Sequence, residues 1–134
     1  MDLKFGFLTE LAARKVREAG SLGRSTWVLQ TDLAFLSEIY GLIVVEAGFE
    51  TDFASVPRIP IVYWLAGGTA DASAVVHDYL VSQLYPRGHI SWRTAAAVFG
   101  EAMKHESVPA WRRALMHWAV VGADPANTKW RDES

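Results

Sequence analysis

Apolar and polar positions follow two different periods along the chain. From Trp27 to Leu36 and again from Gly41 to Phe49 the residues are mostly β-branched, aromatic or aliphatic, with Ser37-Glu38 and Ala47-Gly48 near their ends. Such runs predict two strands, joined as a hairpin. Beyond Ala70 the period lengthens. Apolar residues recur at helical spacing over 70–84, 92–104 and 109–121, separated by Pro86-Arg87-Gly88 and Glu106-Ser107-Val108, so three helices are predicted. Pro109 suits a first helical turn, where its missing N–H is no loss. Ala95, Val98, Phe99, Ala102 and Met103 share one face of the middle helix, and Trp111, Leu115 and Trp118 share one face of the last. Both stripes read as core.

Upstream, Thr9 can cap a helix over 9–19, with Leu11, Ala12, Val16 and Ala19 at helical spacing and Gly20 as its stop. Ser21 to Ser25 reads as a polar linker. The segment 50–68 holds Pro57, Pro60, Gly67 and Gly68, and prolines that close forbid a continuous helix or a central strand. The expected fold is α+β: a small antiparallel β-hairpin or sheet followed by three packed helices, plus an N-terminal helix. Residues 1–24 form that helix and its linker, and 25–134 form a single α+β domain.

Composition narrows the function classes. A chain of 134 residues with 51% hydrophobic side chains can build one core without metal or disulfide staples. The absence of cysteine removes disulfides, thiolate metal sites and cysteine nucleophiles together. A net charge of -2 without blocks of like charge argues against a dedicated nucleic-acid binder, which needs a concentrated basic patch. No apolar run approaches the length of a membrane helix, and Met1-Asp2-Leu3-Lys4-Phe5 carries an acid where a secretory signal is basic. Neither nucleic acid nor membrane insertion is expected, and synthesis in the cytoplasm is.

Two stretches carry unusual polar residues: 48–58, with Thr51, Asp52, Ser55 and Arg58, and 74–80, with adjacent His77 and Asp78. An acid and hydroxyls within apolar surroundings are costly to bury without hydrogen bonds. His77, Asp78 and Asp52 are therefore the candidate catalytic residues. A histidine and an acid held together make a general base, a pair of metal ligands, or a satisfied buried hydrogen bond. No cofactor is expected, except that His77 and Asp52 could hold a divalent metal. Arg58, Trp64, Arg93 and Trp130 are the candidate binding residues: the arginines for an anion, the tryptophans for contact. His105 and His117 lack a partner at ligand spacing, and Ser55 lacks the glycine-flanked elbow of a serine nucleophile.

At these residues the chain resembles the phage and prophage proteins grouped as domain-of-unknown-function family 1353. The resemblance rests on Gly48-Phe49, Thr51-Asp52, Ala54-Ser55-Val56-Pro57-Arg58, Val76-His77-Asp78-Tyr79-Leu80, Arg93 with Phe99 and Glu101-Ala102-Met103, and Gly122 and Trp130. It spans roughly residues 27–130 and implies a phage or prophage origin but no established reaction. Family members usually carry tyrosine where this chain has Val81, and Ala-Asp where it has Ala95-Ala96. A His-Asp pair with such a tyrosine and second-helix aspartate is similar to the helical arrangement of secreted phospholipases. Without them, Asp52 is left as the acid to orient His77.

For the His77, Asp78 and Asp52 constellation a structural hydrogen-bond network ranks ahead of a catalytic or metal site, because satisfied polar networks are common in cores. The expected function is accordingly a virion or tail-assembly structural component acting through protein–protein contacts, with other phage proteins or a second copy as partner. It would be made in the host cytoplasm and then carried in the virion. Six tryptophans exceed what one small core must hold, and aromatics are enriched at interface hot spots. The alternative is a small metal-assisted or His-Asp general-base hydrolase acting on host lipid or peptidoglycan.

Overall fold

A computed structural model describes residues 4–17, 26–51, 71–122 and 124. Asp52, Arg58, Trp64 and Trp130 lie outside the described residues.

Among the described residues six short strands come first: β1 (Gly6–Phe7), β2 (Ala13–Arg17), β3 (Thr26–Leu29), β4 (Leu33–Ser37), β5 (Gly41–Val45) and β6 (Glu50–Thr51). They form two three-stranded antiparallel sheets, ordered β1-β4-β5 and β2-β3-β6. In the β4–β5 hairpin Leu33 opposes Val45 and Phe35 opposes Ile43, and all four side chains are buried on one face. Period-2 alternation there gives a sheet with one wet side. The long run from Trp27 to Leu36 is two strands, because Asp32 makes the chain turn. Its carboxylate accepts from the Ala47 N–H at 2.8 Å and its carbonyl accepts from the Thr9 hydroxyl at 3.0 Å.

The expected N-terminal helix over 9–19 is replaced by β2, which pairs with β3 from Ala13 opposite Leu29 to Arg17 opposite Thr26. A lone helix of this length is marginal in water, whereas strand pairing satisfies the backbone through the neighbouring chain. Thr9, the expected cap, instead bridges β4: its hydroxyl oxygen also accepts from the Ala34 N–H at 2.9 Å. Gln30 N–H donates to the Ala12 carbonyl at 2.8 Å, which holds the start of β2 in place.

Among the described residues three helices follow, as predicted. The first, α1 (Asp71–Tyr79), runs into a π-helical turn over Leu80–Leu84, closed by Tyr85 N–H donating to the Leu80 carbonyl at 2.8 Å. The others are α2 (Trp92–His105), capped by the Ser91 hydroxyl accepting from the Thr94 N–H, and α3 (Ala110–Gly122). One apolar cluster joins Leu33, Phe35, Ile43 and Val45 to Val75, Val76 and Val98, and a second joins Ala74, Phe99 and Met103 to Met116 and Val120. The middle layer, α1 with α2, is therefore buried on both sides, by a sheet and by α3.

The last helix corrects the expected stripe. Met116 and Val120 face inward, while Trp111, Leu115 and Trp118 are 50%, 37% and 76% exposed. Both faces obey the helical period, and the bulkier one is outside. The choice is fixed at both ends: Val108 is buried just before the helix, and the Trp92 indole N–H donates to the Val120 carbonyl at 2.7 Å.

Where β1 crosses the end of α2 the approach is so close that only glycine fits. Gly6 has φ +122, and a Cβ built there would sit 2.8 Å from Nδ1 of His105, whose ring stacks edge-on against Phe35. Gly6→Ala should cost about 1–3 kcal/mol in chemical denaturation. In a His105→Ala background the cost should fall, leaving the backbone part; an equal cost in both backgrounds would contradict this packing.

Candidate functional site

The segment Asp71-Ala72-Ser73-Ala74-Val75-Val76-His77 starts α1 with small and β-branched side chains, and every residue from Ala72 to His77 is buried. A helix buried all round brings two problems inside. Its first N–H groups need acceptors, and any ionisable side chain loses water. Glu106, just past α2, answers the first. Its carboxylate accepts from the Ser73 N–H at 2.7 Å, the Ala72 N–H at 3.4 Å and the Ser73 hydroxyl. Burial pushes the Glu106 carboxyl above the ordinary range, while those donors pull it down and nearby Asp71 pushes it up. Sequence reasoning missed Glu106, because its partners lie more than thirty residues away and no local spacing marks it.

His77 answers the second problem by staying neutral. It is 0% exposed, its ring lying 4.9 Å from that of Phe99 and 6.3 Å from that of Trp92, the latter edge-on. Loss of water lowers its pKa from 6.5 to about 4. The imidazole is thus a much weaker base than one tuned to act near neutral pH. Next to it, Asp78 is half-buried and accepts the Thr51 hydroxyl at 2.5 Å. This bond ties the end of α1 to β6. Of the unusual polar residues in 48–58, Thr51 is described, and it meets Asp78.

Arg93, in the first turn of α2, is exposed and stands outside this cluster. The metal question turns on Asp52, which is not described; among the described residues no three His, Asp or Glu side chains gather to hold an ion.

A second polar cluster sits where the β4–β5 turn meets α2. Glu101 accepts the Ser37 hydroxyl at 2.6 Å and the Glu38 N–H at 2.7 Å, and the Ser37 oxygen accepts from the N–H groups of Ile39 and Tyr40, both at 3.0 Å. Beside it lies an open cleft of about 620 Å³, with Phe5 and Ile39 on its rim and Ala97, Gly100, Lys104 and His105 along its floor. Both Glu101 oxygens are engaged by the turn, so its role there is to clamp the hairpin onto the helix.

Several of the described motif residues have structural tasks. His77, Phe99, Ala102 and Met103 fill the core, Asp78 holds Thr51, and Glu101 holds the turn. A family model described as "Protein of unknown function (DUF1353)" matches residues 27–120, well over half the chain. No curated protein and no solved structure matches it.

The pH dependence of stability follows from His77. Its pKa is lower folded than unfolded, so its contribution is fully present above pH 6.5 and is lost as pH falls toward 4. Denaturation at a series of pH values should show about 3 kcal/mol lost across that window. A His77→Gln variant should lack this part of the slope. Identical slopes in the two proteins would refute a neutral buried imidazole.

Proposed function

The chain belongs to the DUF1353 family of proteins of unknown function, and we propose that it acts through contact with other protein chains, as a structural component of a phage or prophage virion or tail. The observation that carries this reading is the outward face of α3, where Trp111, Leu115 and Trp118 stand exposed on one side of a helix. Exposed aromatic patches on otherwise well-packed domains mark contact surfaces. The phage setting is supported by the resemblance of its motifs to phage and prophage proteins, and on this reading the protein is made in the host cytoplasm and carried in the particle.

Catalysis at His77 fits these observations less well. A hydrolase needs the imidazole to reach substrate, and this one is enclosed by Phe99 and Trp92 with its basicity depressed. Membrane insertion finds no support either, since among the described residues no helix is long and apolar enough to cross a bilayer.

Particles purified from a lysogen that carries the gene should contain the protein. Trp118→Ser should reduce its incorporation about tenfold while changing stability by no more than about 0.5 kcal/mol, as expected of a surface substitution. Absence of the chain from purified particles would overturn the reading. So would hydrolysis of phospholipid or peptidoglycan by the purified protein that disappears in a folded His77→Gln variant.

A further inference from the structure

We infer that the protein assembles head to tail through its sheets, strands β5 and β6 of one copy lying beside β1 and β2 of the next. This rests on the reading of the chain as a structural component and names one partner, at a surface separate from α3. Main-chain register and charge both point to a second copy.

The sheets are built from three runs of chain. Residues 26–37, with β3 and β4, form the middle one; 4–17, with β1 and β2, lie on one side and 38–51, with β5 and β6, on the other. Both outer runs are antiparallel to the middle one, so they point the same way. Among the described residues no strand pairs with their open sides. A copy set alongside in the same orientation therefore joins the first by parallel pairing.

The register suits that pairing. The Leu8 N–H donates to the Ala34 carbonyl at 2.9 Å, so Ala34 and Leu36 turn their main-chain groups toward β1. Leu42 and Val44, opposite them on β5, turn theirs to the open side, while Gly6, also opposite Leu36, turns inward. A parallel ladder needs a residue turned out level with a residue turned in. Leu42 of one copy, level with Gly6 of the next, donates to the Phe5 carbonyl and accepts from the Phe7 N–H of that next copy.

Charge selects which edge meets which. The 4–17 run carries exposed Lys4, Arg14, Lys15 and Arg17 against one acid, Glu10, whereas the 38–51 run carries exposed Glu38, Glu46 and Glu50 and no cation. Two basic edges or two acidic edges repel; unlike edges attract. Arg14 and Glu50 oppose Val28 from its two sides. Stacked copies thus bring Glu50 of one level with Arg14 of the next on the same face, about 5 Å apart. Charges and bulges commonly guard an outer strand against addition, as on β2 with its shifted register between Lys15 and Arg17. The other edge is unguarded: β5 has no charge and no proline, and its register with β4 is unbroken. Each copy keeps one edge of each kind open, so growth continues past a dimer into a ring or a filament.

The full-length protein should sediment at 14.9 kDa when dilute and as progressively larger species as its concentration rises. Arg14→Glu and Glu50→Arg should each raise the concentration needed for assembly about tenfold, because each sets like charges together at the joint. An equimolar mixture of the two should assemble as wild type does, since every joint then pairs an acid with a base. Contact within one chain cannot be restored by mixing. Should either variant melt below wild type, single cysteines decide, as the chain has none of its own. Arg14→Cys mixed with Glu50→Cys should oxidise to a mixed disulfide and neither alone should, because like positions in neighbouring copies are about 14 Å apart.

A wild-type protein that stays monomeric into the millimolar range, folded variants that assemble like wild type or fail to assemble when mixed, or cross-linking of either cysteine variant alone would overturn the pairing. If that monomer is still found in purified particles, self-pairing fails and the contact reading stands. Assembly rescued by mixing, in a protein absent from particles, leaves the pairing standing and removes the virion reading.

Discussion

Burial of α1 on every side from Ala72 to His77 is the constraint from which the rest of the arrangement follows. A helix without a wet face cannot leave its first N–H groups to water, so an acceptor has to come from elsewhere, and the end of α2 delivers the Glu106 carboxylate. That fixes α2 alongside α1. The far end is fixed by the Thr51 hydroxyl on Asp78, which joins the helical layer to the sheet. Between these anchors the one titratable side chain of the buried stretch is enclosed by Phe99 and Trp92, and Trp92 in turn holds the end of α3 through the Val120 carbonyl.

This network engages the described polar residues that first suggest chemistry. A histidine beside an aspartate on a helix has the composition of a general base and its orienting acid, but composition does not set access or basicity. Desolvation carries His77 down to a pKa of about 4, and Asp78 is turned to Thr51. Among the described residues, the aromatic side of α3 and the open cleft lined by Phe5, Ile39 and α2 face outward toward another molecule.

The three helices were legible because each keeps a strong 3.6-residue period between Pro- or Gly-containing breaks, and their bounds fall within a residue or two of those expected once the π-helical turn over Leu80–Leu84 is counted with α1. Segment 9–19 was misleading for a physical reason: Leu11 and Val16 suit a helix face or a strand equally, and the deciding partners, Gln30 and Ala34, lie about twenty residues on. The outward stripe of α3 was misassigned because two apolar faces share one helix, and only the packing of Val108, Met116 and Val120 selects the inner one. The burial of His77 was readable from its apolar neighbours. The pairing of Asp78 with Thr51, and the part played by Glu106, depend on long-range contacts that no local pattern encodes.

The central claim is that His77 is a neutral core residue around which the layers are built. It is tested most directly by following the His77 ring signals by NMR from pH 8 down to pH 4, in the presence and absence of zinc. The account predicts one neutral tautomer whose shifts stay constant until the pH nears 4, unmoved by the metal. Titration of the ring near 6.5, or a shift on adding zinc, would contradict it and return His77 to the chemistry its sequence neighbourhood first suggests.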